Sequence, residues 1–175
     1  MNTNNNKRRR ESQEKIEQVF IDLLQDHEIK DISVSLIIKI ANVNRSTFYA
    51  NYIDIYDLAD KIKEKYVQKF LNVFGGFSSV IDHVGALRLF EHIKENPSFY
   101  TTYFKLCYDD KHLTTKYIST LAKDENLVGD ARYHIEFFRS GINAVVKLWI
   151  ANGCRETPEE MLEILKSEYR GRTRD

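Results

Sequence analysis

Only two prolines and seven glycines interrupt these 175 residues, so little in the chain stops a helix once it has begun. Cys107 and Cys154 are the only cysteines, far apart and in no CxxC spacing, which argues against a disulfide framework or a zinc site and for a reducing compartment. The histidines, His27, His83, His92, His112 and His134, show no HExxH or other metal spacing, so no metal is expected. There is no nucleophile elbow, no P-loop and no dinucleotide fingerprint; neither an enzyme nor a cofactor is expected. The glycine-rich run GGFSS, residues 75–79, follows no strand and has no lysine in the phosphate-binding place, and it reads as a hinge. No stretch approaches the roughly 18 apolar residues of a membrane span. The leading MNTNNNKRRRESQEK lacks the apolar core of a signal peptide, so a cytoplasmic protein is expected. Formal net charge is zero, which removes the overall basic excess of many nucleic-acid binders. Any such function has to rest on local clustering.

Apolar residues make up 42% and charged residues 30%, the balance of a soluble globular chain rather than a disordered one. Residues 1–6 are polar and read as disordered. KRRR, Lys7 to Arg10, is the densest basic run. Ile16, Val19, Phe20, Leu23 and Leu24 then recur at helical spacing. Ser33 is placed to cap a second, short helix whose buried face would be Leu36, Ile37, Ile40 and Ala41. Asn42 tolerates the left-handed turn that would end it. Asn44 is a fresh cap for a third helix starting at Arg45. Two short helices about three residues apart are the arrangement of a helix-turn-helix. Asp54 caps a fourth helix carrying Leu58, Ile62, Tyr66 and Phe70.

Beyond the hinge, the pattern predicts helices at about 82–95, 97–108, 111–124, 130–152 and 158–170. Pro97 suits a first turn, Gly153 a helix stop, and TPEE, Thr157 to Glu160, a capping box with proline at the first helical position. No strand and no repeat is evident. The expected fold is all-α: an N-terminal three-helix helix-turn-helix DNA-binding domain and a C-terminal helical dimerisation and ligand domain. The expected divisions are 1–53, a connecting helix and hinge at 54–76, and 77–175.

The stretch HIEFFRSGINAVVKLWIA, residues 134–151, is apolar on two faces, one carrying Phe138, Ile142, Val145 and Trp149, the other Phe137, Gly141, Ala144 and Leu148. One stripe suffices for a monomer's surface helix, so this is either a central core helix or one that also packs on a second subunit. The interface would comprise Phe138, Gly141, Ile142, Val145 and Trp149, joined by Met161 and Leu165 of the last helix.

ISVSLIIKIANVNRSTFYANYIDIYDL, residues 32–58, resembles the helix-turn-helix signature of TetR/AcrR-type transcriptional regulators, whose pattern reads roughly T-V-x-x-I-A-x-x-A-G-V-S-x-x-T-F-Y-x-H-F-x-x-K-x-x-L. Ala41, Val43, Thr47, Phe48, Tyr49 and Leu58 match it, and Ser33, Asn44 and Tyr52 are conservative variants. WIANGCRETPEEMLEIL resembles the turn between the family's last two helices. The resemblance implies a homodimeric regulator, a repressor, whose partner is a palindromic double-stranded DNA operator, with a C-terminal domain that dimerises and is open to a small-molecule ligand. Three positions depart from the pattern: Asn42 for Gly, Asn51 for His, and Ile55 for a phosphate-binding Lys.

Within that frame NVNRSTFYANY, residues 42–52, has a chemical reading. Arg45 is the candidate base reader, since a guanidinium pairs bidentately with guanine. Ser46 is small enough for close approach. Thr47, Tyr49 and Asn51 are candidates for phosphate, Ser33 and Ser35 for the DNA backbone, and Lys7, Arg8, Arg9 and Arg10 for phosphates or a minor groove. Phe48 and Tyr52 point to the core. Eight Lys/Arg against seven Asp/Glu over residues 1–53 give only modest electrostatic support. Phe99, Tyr100, Tyr103, Phe104 and Tyr108, with Phe137, either line a ligand pocket or are ordinary core. Two other readings stay open: the same fold controlled by a protein partner or by no ligand, and a helical interaction module without DNA binding.

Overall fold

Ile16, Phe20 and Leu24 fall four residues apart along a helix, and all three are fully buried. They belong to α1 (Thr3–Asp26), the first of eight α-helices among the residues that the computed structural model describes, 3–75, 83–107 and 131–169. The others are α2 (Val34–Ala41), α3 (Arg45–Tyr49), α4 (Ile55–Phe74), α5 (His83–Glu95), α6 (Pro97–Leu106), α7 (Ala131–Ala151) and α8 (Pro158–Tyr169), with a 3₁₀ turn at Ile29–Asp31. No strand occurs among the described residues. The fold is all-α. The helix expected near 111–124 lies outside the described residues.

The chain divides into two compact units, 1–66 with 102–108, and 67–101 with 109–175. In the first, α1 packs on α2 and α3. Its core is Ile16, Phe20, Leu24, Ile29, Ile32, Ile37, Ala41, Phe48, Tyr52, Leu58 and Ile62. Thr102 and Lys105 of α6 tie to the end of α1: Gln25 Nε2 donates to Thr102 Oγ1 at 3.0 Å, and Lys105 Nζ donates to the carbonyls of Leu24 and Gln25 at 2.6 and 2.8 Å. A cation on the last carbonyls of a helix satisfies acceptors with no partner inside it.

In the second unit, α5 packs on α8, and the Phe90 and Trp149 rings meet edge to face at 5.7 Å. The start of α8 is the expected capping box. Glu160 N donates to Thr157 Oγ1 at 3.2 Å, and Thr157 N donates to Glu160 Oε2 at 2.7 Å. Gly153 (φ 77°) and Cys154 (φ 51°) turn left-handed after α7, and Cys154 N donates back to Trp149 O.

Three local expectations change. α1 begins at Thr3, so residues 3–6, expected to be disordered, are helical, and Lys7 to Arg10 stand on its first turns. Ile40 is 52% exposed instead of buried, because α2 turns Ile37 and Ala41 inward and Ile40 falls at the rim of the groove beside Val19 and Leu23. Trp149, Met161 and Leu165, expected at a subunit interface, are buried within their own chain. The large apolar side chains exposed on α7 and α8 are instead Tyr133, Phe137 (58%), Leu148 (61%), Ile142 and Ile164, with Gly141 and Val145 half-buried. The Phe138 side chain lies outside the described residues.

Candidate nucleic-acid interface

Ser33 opens the site. Its Oγ accepts from Leu36 N at 3.1 Å, so this hydroxyl caps α2. Ser35 beside it is exposed. α2 stops at Asn42, whose φ of 52° and ψ of 51° are left-handed; Val43 N then donates to Ile38 O at 3.1 Å. Asn44 takes the N-cap position of α3 with an extended backbone, and its carbonyl accepts from Thr47 N and Phe48 N. Its side chain makes no capping bond.

The five residues of α3 sort by face. Phe48 is fully buried, between Tyr49 and Tyr52 at ring separations of 5.4 Å. Arg45, Ser46 and Tyr49 are exposed and Thr47 is half-buried. Arg45 lies along the Tyr49 ring, its guanidinium carbon 5.4 Å from the centroid, and its Nη2 donates to the Tyr49 hydroxyl at 3.3 Å. Tyr49 thereby holds a long cation extended, at the cation–π scale of about 0.5–1 kcal/mol for an exposed pair.

α3 does not stand alone. Arg9 Nε, from the first turns of α1, donates to Asn51 Oδ1 at 3.0 Å. Lys7, Arg8 and Arg10 are exposed on the same turns. So the structure brings Arg9 of the basic run to the end of α3, at an asparagine 42 residues on in sequence.

The turn after α3 is tightly bonded. Asp54 Oδ1 accepts from Tyr56 N and Asp57 N, both at 2.8 Å, capping α4 as expected. Asp57 Oδ2 accepts from Ile53 N and Lys61 Nζ, and the Lys61 bond, followed by the Ile53 amide, holds its carboxyl below the usual range. Lys61 also donates to Asn51 O at 2.9 Å and lies over the Tyr52 ring. Ile55, standing where the TetR-type pattern has Lys, is buried. Its place in this chain is a core position, and Ile53 and Tyr56 are the exposed large apolar side chains of the turn.

Sequence reasoning missed the Lys61 contact and a buried carboxylate. Glu17 accepts from the Tyr52 hydroxyl at 2.9 Å and from Lys65 Nζ at 2.7 Å. The available signal was an acid set between Ile16 and Phe20 on the buried side of α1.

The aromatic candidates of the second unit surround a histidine. His92 Nδ1 and the Tyr100 hydroxyl are hydrogen-bonded at 2.8 Å, and the rings of Phe74, Phe99 and Tyr100 meet the imidazole edge-on. A cavity of about 290 Å³ is lined by Lys69, Phe70, Asn72, Val73, His92, Asn96 and Phe99. Tyr103 and Phe104 belong to the first unit. Phe137 is exposed and does not line the cavity. Tyr108 lies outside the described residues.

Residues 83–168 match the model of a TetR C-terminal family, described as the transcriptional regulator C-terminal region. The whole fold matches the crystal structure of a TetR transcriptional regulator from Streptococcus agalactiae 2603V, with a TM-score of 0.66, 19% identity, and coverage of 96% of this chain and 98% of that one. Its C-terminal region belongs to the TetR family of transcriptional regulators, and the whole chain has the fold of such a regulator. A second solved structure, the dihydroxyacetone kinase operon activator DhaS, aligns over 90% of this chain and 93% of its own at 22% identity, with a TM-score of 0.46. No curated protein matches in sequence. The exposed face of α3 is shaped by its own Tyr49, which holds Arg45, and by Arg9 of α1, which bonds to Asn51 just past its end. No described helix is long and apolar enough to cross a membrane.

Proposed function

We propose that this TetR-family regulator binds a palindromic DNA operator as a homodimer and represses transcription, with release by a small molecule. The observation that carries the reading is the shared exposed face of α3 and the first turns of α1, joined by the Arg9–Asn51 bond. Arg45 is the base-reading group of that face. Ser46, Thr47 and Tyr49 approach the DNA backbone, and Lys7, Arg8 and Arg10 add charge that is felt over a Debye length. Ser33, whose hydroxyl caps α2, and Ser35 lie at the start of the preceding helix.

Two copies meet through the exposed apolar face of α7, which carries Phe137 and Leu148, joined by the exposed Ile164 of α8. The cavity beside His92 is the seat of the ligand, apolar in Phe70, Val73 and Phe99 and polar in Lys69, Asn72 and Asn96.

Selection of bound sequences from a random duplex pool tests the reading. The expected product is a two-fold symmetric site with half-sites about 34–36 Å apart, or a multiple of that. Recovery of no enriched sequence, or of one without symmetry, would sink it.

A further inference from the structure

Asn51 has every polar group engaged inside the protein. Its backbone N–H donates to Phe48 O, and its carbonyl accepts from Lys61 Nζ. Its Nδ2 donates to Thr47 O at 2.8 Å, and its Oδ1 accepts from Arg9 Nε at 3.0 Å. The side chain is half-buried. It thus joins three helices: α3 through Thr47 and Phe48, α4 through Lys61, and α1 through Arg9. A residue that served mainly to bind phosphate would keep its amide N–H groups turned outward. Here one amide end holds the last turn of α3 and the other holds an arginine.

What Asn51 presents is therefore the rest of Arg9. With Nε bound, the planar guanidinium is fixed in orientation and its two terminal nitrogens remain as a fork directed away from Asn51. That fork suits two oxygens of one phosphate group. Anchoring Nε also removes the rotamer freedom of a long flexible side chain before any ligand arrives. Lysine has no equivalent of Nε and cannot be held this way. Among the described residues, Arg9 is the member of the Lys7–Arg10 run whose side chain bonds to the α3 end.

We infer that Asn51 is a positioning residue that aims the Arg9 fork at a single DNA backbone phosphate flanking the base pairs read by α3. This rests on the DNA-binding reading above. Asn51 sets where the recognition unit docks, and Arg9 makes the contact.

The test measures affinity by fluorescence anisotropy on the selected duplex over a range of salt, for wild type, Arg9→Ala, Asn51→Ala, the double variant and Arg9→Lys. Both single alanine variants are expected to weaken binding by a similar factor, about tenfold, the scale of one charge-assisted hydrogen bond. The double variant is expected to be no weaker than either. Asn51→Ala removes no charge, yet it is expected to flatten the salt dependence by about 0.9 in log–log slope, as Arg9→Ala does. A purely structural role for Asn51 would leave that slope alone. Additive losses, or an unchanged slope in Asn51→Ala, would overturn the inference. Arg9→Lys leaves α3 and Asn51 intact and is expected to bind less tightly than wild type; wild-type affinity there would overturn the inference even if Asn51→Ala does not fold. Wild type that binds no duplex removes the DNA-binding reading and this inference together. Wild type that binds, with additive variants, removes the inference alone.

Discussion

The Tyr52 hydroxyl donates to Glu17 Oε1 at 2.9 Å, and this bond joins α1 to the turn that follows α3. Both residues are buried, and Lys65 supplies the countercharge from α4. A carboxylate inside a core is tolerated only when its lone pairs are matched, and here a hydroxyl and an ammonium match them.

Tyr52→Phe is expected to cost about 1.5–3 kcal/mol, because the lost bond is to a charged acceptor. Tyr103→Phe is expected to be close to neutral. The Tyr103 hydroxyl is equally buried but has only the Cys107 thiol beside it, a weak partner. Urea titration of both variants compares the midpoints at constant m-value; equal losses would remove the special role given to the Glu17 bond.

Burial raises the Tyr52, Tyr100 and Tyr103 hydroxyls above their ordinary value, with Glu17 adding to the effect at Tyr52. The unfolded chain releases these protons near pH 10, while the folded chain keeps them to higher pH. The stability they contribute is complete below about pH 10 and falls as pH rises toward the folded values, by about 1.4 kcal/mol per pH unit for each such tyrosine. Denaturant midpoints between pH 9 and 11 should fall less steeply in Tyr103→Phe than in wild type.

Arg45→Ala is expected to cost about 1–3 kcal/mol on the selected operator and to relax preference at one base pair. Tyr49→Phe keeps the ring beneath the guanidinium but removes the hydroxyl that Nη2 reaches, and a smaller loss is expected. Repeating the duplex selection with Arg45→Ala checks the first point, since an unchanged consensus would show that Arg45 reads no base.

Asn42 sits in the left-handed region, which a β-carbon disfavours by roughly 1–2 kcal/mol. Asn42→Gly should therefore hold stability or raise it, and Asn42→Ala should lower it by about 1 kcal/mol. Thermal melts of the pair give the sign directly.

Leu148→Glu is expected to leave the monomer's fold within about 0.5 kcal/mol, since the side chain is exposed, and to abolish self-association. Trp149→Ala, one residue along, removes the partner of Phe90 and should cost about 3–5 kcal/mol of stability. Light scattering at micromolar concentration follows the first variant; a Leu148→Glu chain that still dimerises would place the interface elsewhere.

Much of the local structure was legible because short-range chemistry decides it. Ser33, Asp54 and the Thr157–Glu160 box cap helices through bonds within three residues. Asn42, Gly75 and Gly153 mark the left-handed stops. The sorting of α3, with Phe48 inward and Arg45 outward, follows from helical spacing alone. Asn44 was misjudged in detail: its position is a cap, but its side chain makes no cap bond, because the backbone carbonyl already serves Thr47 and Phe48.

The sequence by itself determined an all-α chain, the helix-turn-helix spacing and the aromatic-rich α6, because periodicity and capping act over a few residues. Only the tertiary structure decided that Ile55 is core, that Trp149 packs on its own chain and leaves Leu148 uncovered, and that Arg9 meets Asn51. Those facts depend on how α1, α3 and α4, and separately α5, α7 and α8, rotate about their axes as they pack. A helix with two apolar stripes does not specify which one turns inward, and no local pattern links an arginine near the N-terminus to an asparagine 42 residues on. Burial of the shared core chooses the rotation, and the exposed face follows from that choice.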